Sequence, residues 1–343
     1  MVSSWCYFIL PVVLFIGLLR KCRERSWGKC KSTSNLEGQV FLVTGANSGI
    51  GRETTKELAK RRATVIMACR DVQNAKNAII EIRSKISTGE LIPMELDLAS
   101  FSSIRKFANE VLKKFSQIHV LINNAGVYAP LKDHALTKDG FEIHFGVNHL
   151  GHFLLTNLLL DRLKKSAPSR IVVVTSKLLE SGVIDFSNLN GEKGLPVKSR
   201  MNPGYCNSKL ANAYFATELA KRIENTGTNV YMVCPGFTYT GLFRNVKRSW
   251  FHYIIFSPVA LMFLRTPNQK TLYWRMLSIA KQCSQGAQTV LHCATESSLS
   301  EESGHLYRDC KLYVSKKDLD PEVALRLWEV SAKLTGIKEP IMK

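Results

Sequence analysis

From residue 39 onward, short apolar runs alternate with longer stretches whose apolar positions recur every three or four residues. The runs 40–43, 64–68, 93–96, 120–122, 170–174 and 229–233 have the length of strands. Between them, helical periodicity runs from the glycine turn after the first strand to residue 62, then over 74–85, 102–115, 141–163 and 207–223. Strands separated by helices imply a parallel sheet covered on both faces, an α/β doubly wound fold. No linker interrupts the alternation, so a single domain over residues 38–330 is expected, followed by a tail at 331–343.

The segment before that alternation has a different character. Residues 5–19 carry no charge, and with residues 1–4 they reach the ~20 residues that a spanning helix needs. A cleaved secretory signal is the rival reading, but signals carry their basic residues ahead of the apolar core. Here Arg20, Lys21, Arg23, Arg25, Lys29 and Lys31 follow it. Residues 1–19 are therefore read as a membrane anchor and 20–37 as a basic juxtamembrane linker, with the remainder on the cytosolic side. The endoplasmic reticulum is the expected membrane. A mitochondrial destination is the alternative, because the linker is basic and poor in acids.

Composition narrows the partners. The chain has 47 Lys plus Arg against 28 Asp plus Glu, a net +19. That balance suits nucleic acid, an anionic membrane or a phosphorylated small molecule. No zinc-finger spacing, aromatic RNA-binding motif or basic region with heptads is present, so nucleic acid is set aside. The nine cysteines form no C-x-x-C pair, which reads as free thiols in a reducing compartment. Cys283, His292 and Cys293 lack metal-ligand spacing, and no metal is expected. The chain could pair as a homodimer.

Candidate chemistry gathers at strand ends. Thr44, Gly45, Asn47, Ser48, Gly49, Ile50 and Gly51 form a glycine-rich turn between a strand and a helix. Such a turn lets backbone approach a pyrophosphate at a helix N-terminus; the alternative is a tight turn without ligand. Arg70 follows the second strand, where an acid would hold the ribose hydroxyl of NAD, so it points instead to the 2′-phosphate of NADP(H), with Arg52 assisting. Asp71 beside it argues the other way. Asp97 and Leu98 could flank the adenine, and Asn124, Ala125 and Gly126 bring small residues close to the cofactor. Asn148, inside an apolar helix, is either a satisfied core amide or the carbonyl of a kinked helix that holds a relay water. His149 and His152 read as structural. Ser176 ends the fifth strand, either as a cap or as a donor to a substrate carbonyl. Tyr205 and Lys209 are four apart and share a helix face. A phenol titrates near pH ~10, and the lysine charge would favour the phenolate.

Together, residues 44–51, 123–126, Asn148, Ser176, Tyr205, Lys209, Pro235 and Gly236 resemble the short-chain dehydrogenase/reductase family over about residues 38–330. Segments 120–127, 141–156, 166–174, 208–212, 286–289 and 326–328 resemble its membrane-anchored retinol dehydrogenase branch. The resemblance implies a Rossmann-type sheet with NADP(H) lying over residues 44–51 and also against Tyr205, Lys209, Pro235, Gly236 and Thr238. It implies Tyr205 as proton donor and acceptor, Ser176 as ligand of the substrate oxygen, Lys209 as the group that lowers Tyr205 and binds the ribose, and Asn148 as the end of the relay. The implied reaction interconverts a hydrophobic alcohol and its carbonyl, typically retinol and retinal. A steroid or other lipid-carbonyl reductase is the alternative, and a membrane-anchored NADP(H)-binding scaffold is the reading without catalysis. Thr175, Lys177 and Cys234 depart from the branch, as does the insertion at 270–285. The aromatic-rich stretch 237–274, within a lid at about 237–285, reads as a substrate cover that could rest on a bilayer, or equally as a buried helix pair.

Overall fold

Eight strands form one sheet: β1 (Val40–Thr44), β2 (Thr64–Cys69), β3 (Glu90–Glu95), β4 (Val120–Asn123), β5 (Ser169–Val174), β6 (Thr228–Cys234), β7 (His305–Arg308) and β8 (Lys311–Leu312). The structure, a computed structural model, describes residues 24–130, 135–195, 201–238 and 281–338, with isolated positions at Pro11, Phe15, Leu18, Lys21, Cys22, Thr240 and Leu242. The strand order is β3-β2-β1-β4-β5-β6-β7-β8. Every neighbouring pair is parallel except β7 with β8.

Successive strand residues point to opposite faces, and both faces are buried. Leu42, Ile66, Leu121, Ile171, Val173 and Val230 enter one core, with α3 (Phe101–Lys114), α4 (Gly151–Lys165), α5 (Pro203–Arg222) and α7 (Pro321–Thr335). Phe41, Val43, Val65, Met67, Ile122, Val172 and Val174 enter the other, with α1 (Gly49–Lys60), α2 (Val72–Arg83) and α6 (Cys283–Thr295). This is the three-layer doubly wound architecture expected from the alternation. The chain crosses from one side of β1 to the other between β3 and β4. That reversal opens a crevice at the carboxyl ends of β1 and β4.

Several boundaries differ from the sequence reading, each for a physical reason. The third strand begins at Glu90, and Pro93 lies inside it; β3 is an edge strand, where a missing N–H is tolerated. The helix expected at 207 starts at Pro203, because Asn202 caps it by accepting from the N–H of Gly204 at 2.8 Å. The helix expected over 141–163 opens with a π-helical turn, Phe145–Leu150, before α4. The strands β7 and β8 escaped the periodicity: β7 buries only Leu306 and Tyr307, and β8 is exposed. The linker is not free along its whole length. Ser32 Oγ donates to Thr295 O at 3.1 Å, and Leu36 is buried and bonded to Arg61 O.

No helix among the described residues is long and apolar enough to cross a membrane. The anchor expected at 1–19 lies outside the described residues apart from Pro11, Phe15 and Leu18, as does most of the lid at 237–285. Of the insertion, Lys281 bridges to Thr238, and Cys283 begins α6.

Phe153 holds α4 against α5 and α7, with ring centroids 5.4 Å from Phe215 and 4.9 Å from Trp328, and is fully buried. Phe153→Ala is expected to lower the unfolding free energy by about 3–5 kcal/mol, read from the midpoint of urea unfolding.

Candidate active site

The crevice is bounded by the turns after β1 and β4, and one side chain ties them together. Thr44 Oγ1 accepts the N–H groups of Asn124 and Ala125, each at 2.9 Å, and Asn124 Nδ2 donates to Thr44 O at 2.8 Å. Gly51 lies so close to Gly45 that a Cβ there would sit 2.3 Å from Gly45 O and 2.6 Å from Asn124 Nδ2. Ser48 is the N-cap of α1, makes no side-chain cap bond, and no acid stands in the first turn. The helix therefore presents its first N–H groups to the crevice without a side-chain rival, which suits an anionic pyrophosphate. Thr238 and Ile50 both pack on Gly286, and Thr240 lies beside Gly49, so the segment after Pro235 and Gly236 approaches the glycine turn that also holds Asn47.

The outer cofactor candidates differ among themselves. Arg70 is exposed just past β2. The Asp71 carboxylate is engaged as the cap of α2, accepting from Asn74 N at 3.0 Å and from Asn74 Nδ2 at 2.5 Å. Arg52 is paired with Glu81 at 2.5 Å on the surface. Asp97 is partnered by Ala99 N at 3.1 Å and Lys138 Nζ at 3.0 Å, while Leu98 is buried.

Tyr205 and Lys209 occupy one face of α5, as their spacing requires. Lys209 Nζ lies 5.6 Å from the centroid of the Tyr205 ring and donates to Val174 O at 3.0 Å. Thr175 Oγ1 donates to Lys209 O at 2.7 Å, which fixes the backbone beneath the ammonium. Burial brings Lys209 down to about 8. The expectation that Lys209 lowers the phenol is not met by the protein's own groups. Burial pushes Tyr205 up, and Cys206, Cys234 and Tyr128 add to the effect. The phenol thus keeps its proton at neutral pH.

Asn148 sits in the π-helical turn. Its Oδ1 accepts from Val127 N at 2.8 Å, and its Nδ2 donates to Val127 O at 3.2 Å and Ser208 Oγ at 3.0 Å. The amide is satisfied, as the plainer reading had it, and it straps the turn after β4 to α5. Its backbone carbonyl accepts from His152 Nδ1 at 3.0 Å, and His152 Nε2 faces Thr44 Oγ1 at 2.9 Å. A methyl built on Gly126 would lie 3.5 Å from Asn148 Oδ1 and 3.7 Å from Lys209 Nζ, so the three residues meet at the crevice. His149 is structural, bonded to Ser331 and stacked on Phe145. Ser176 is half-buried at the mouth and caps a short 3-10 turn, accepting from Leu178 N at 3.2 Å.

Four residues near the site were not anticipated: Tyr128, Glu142, His144 and Asn202. The rings of Tyr128 and His144 stand edge-on to Tyr205, at 5.4 and 6.1 Å between centroids. The Asn202-Pro203 pair was a legible helix start. Nothing in the periodicity marks Glu142 or His144.

Comparisons agree with this architecture. The family model described as short chain dehydrogenase matches residues 39–249. Retinol dehydrogenase 11 of Homo sapiens is 43% identical over 332 residues, covering 96% of each chain. Retinol dehydrogenase 12 of Homo sapiens is 43% identical, covering 98% of this chain and 96% of its own. Among solved structures, an uncharacterised protein from Mycobacterium paratuberculosis superposes with a TM-score of 0.66 at 30% identity, covering 92% of this chain and all of its own.

Gly51→Ala forces a side chain into the contact between the two turns. Dinucleotide affinity is expected to fall by about tenfold or more, the equivalent of ~1.4 kcal/mol, measured by fluorescence titration of the folded variant.

Proposed function

Because this chain belongs to the short chain dehydrogenase family, we propose that it is an NADP(H)-dependent oxidoreductase that interconverts a hydrophobic alcohol and its aldehyde or ketone, with retinol and retinal as the pair. The observation that carries the reading is the Lys209 ammonium over the Tyr205 ring, beside Asn148 and Gly126. The 43% identity to two retinol dehydrogenases over nearly the whole chain supports the retinoid assignment.

When bound, a nicotinamide dinucleotide would supply or accept the hydride. The side chains supply binding and the proton. In reduction, Ser176 would hold the carbonyl oxygen and the Tyr205 hydroxyl would donate its proton to it. Lys209, kept near its titration point by burial, would return a proton toward Tyr205, with the carbonyl of Asn148 at the end of the relay. In oxidation the roles reverse, and the positive charge of an oxidised nicotinamide would favour the phenolate that burial alone disfavours.

NADP(H) over NAD(H) is supported by Arg70 exposed beyond β2 and by Asp71 being engaged as a helix cap. A guanidinium there suits a 2′-phosphate. The membrane assignment rests on the apolar residues 5–19 and the basic cluster behind them, with the catalytic domain cytosolic.

A turnover screen of retinal, steroids and medium-chain aldehydes with NADPH tests the reading. Retinal is expected to be reduced; turnover of a steroid alone would move the substrate assignment, and bound cofactor without turnover would mean a scaffold. Tyr205→Phe is expected to cut kcat by about a hundredfold or more while NADPH still binds. Arg70→Glu should raise the KM for NADPH by about tenfold or more and leave that for NADH nearly unchanged. Lys209 holds its proton below about pH 8 and loses it above. The reductive kcat should therefore be level on the acid side and decline as pH rises through that value, as a pH–rate profile would record.

A further inference from the structure

Tyr205 is held from the side as well as along its helix. We propose that Glu142 and His144 form a hydrogen-bonded positioning pair that sets Tyr205 for proton transfer, acting through the segment 127–130 and the first turn of α5. The proposal rests on the oxidoreductase reading above.

The bonding fixes the imidazole tautomer. His144 Nε2 accepts the N–H of Ala129 at 2.9 Å, so it carries no proton. Nδ1 must then carry the ring proton, and it donates to Glu142 Oε1 at 2.5 Å. Glu142 Oε2 accepts two further N–H groups, from His144 at 3.0 Å and Phe145 at 2.8 Å. The Glu142 N–H is itself fixed by Asn190 Oδ1 at 2.6 Å. Both oxygens face donors and neither has an acceptor to donate to, the pattern of a carboxylate. Burial alone would raise Glu142, but the His144 ring and the two backbone N–H groups outweigh it and hold the carboxyl below its usual range.

The pair reaches Tyr205 by two routes. One is contact with Gly204, the preceding residue: a Cβ there would lie 3.0 Å from Glu142 Oε1 and 3.1 Å from His144 Nδ1. Only a glycine lets the helix start press directly on the pair. The other route is Ala129. Its N–H is taken by His144 and its C=O by Asn202 Nδ2 at 2.9 Å, and Asn202 is the cap of α5. Tyr128, next to Ala129, accepts the N–H of Asn202 at 3.2 Å and stands edge-on to Tyr205. The wall beside the phenol is therefore closed by bonds that depend on which imidazole nitrogen holds the proton.

Glu142→Gln tests this with little change of shape. The carboxamide can still accept the two backbone N–H groups, but it turns an N–H toward the imidazole. The ring proton must move to Nε2, where it meets the N–H of Ala129 donor to donor. The expected result is a fall in kcat by about tenfold or more, with NADPH affinity unchanged within about twofold. His144→Phe should show a similar loss, and the double variant should be no worse than His144→Phe, because both act through one bond. Gly204→Ala, which pushes on the pair without removing a group, should show a smaller loss of the same kind. Wild-type kcat in Glu142→Gln, or fully additive losses in the double variant, would overturn the proposal. The tautomer is read without turnover from ring-nitrogen NMR shifts of histidine-labelled protein, assigned by the signal lost in His144→Phe. A proton on Nδ1 in the wild type and on Nε2 in Glu142→Gln is expected; an Nε2 proton in the wild type sinks the pair even if no carbonyl is ever reduced. Absence of wild-type turnover with the expected tautomers removes the oxidoreductase reading and the kinetic role built on it.

Discussion

The crevice depends on one buried hydroxyl. Thr44 Oγ1 is a single donor with two acceptor sites, and all three are engaged. It accepts the N–H groups of Asn124 and Ala125, and its proton goes to His152 Nε2 at 2.9 Å rather than to Ile122 O at 3.4 Å. Burial lowers His152 to about 4, so the ring is neutral, with its proton on the Nδ1 that faces Asn148 O. One short chain thus links the glycine turn, the turn after β4 and the π-helical turn. A buried polar network of this kind rigidifies only when every member is bonded; here its members set the distance between the two lips of the crevice.

The π-helical turn is the second device. A regular helix from 141 would bond each carbonyl four residues on; the wider turn at Phe145–Leu150 changes that pattern locally, and such turns concentrate at functional sites. Asn148 uses its freedom there to hold Val127 on both backbone groups and Ser208 on the facing helix. Helix α5 is consequently fastened to the π-helical turn at Ser208, to the end of β5 at Lys209, and at its start by Asn202. Tyr205 lies between these fastenings.

Electrostatics at Tyr205 and Lys209 are a contest between burial and charge. Both groups are buried, and burial disfavours each charged form: it lifts the phenol and depresses the ammonium to about 8. Burial is the largest influence on the phenol, while Lys209 Nζ is bonded to Val174 O and lies 5.6 Å from the ring centroid. The simple idea that a neighbouring ammonium makes a base of the tyrosine holds for spacing and face, and falls short for the protein's own groups.

Legibility follows the range of the forces involved. The parallel sheet, the helical cover on both faces, the glycine turn and the shared face of Tyr205 and Lys209 were readable, because hydrophobic periodicity and i,i+4 spacing are local properties of the chain. The early start of α5 was readable in principle, since Asn202-Pro203 is a local cap signal. The strands β7 and β8 were not, being too short to carry a period. Nor were the links from Thr44 to His152, from Glu142 to His144 and from His144 to Ala129, whose partners are chosen by where the folded backbone leaves an N–H or C=O unpaired. The amino-acid order by itself determined the layers and which residues could do chemistry. The tertiary structure alone decided protonation states and tautomers, because those depend on burial and on acceptors brought close only by the completed fold.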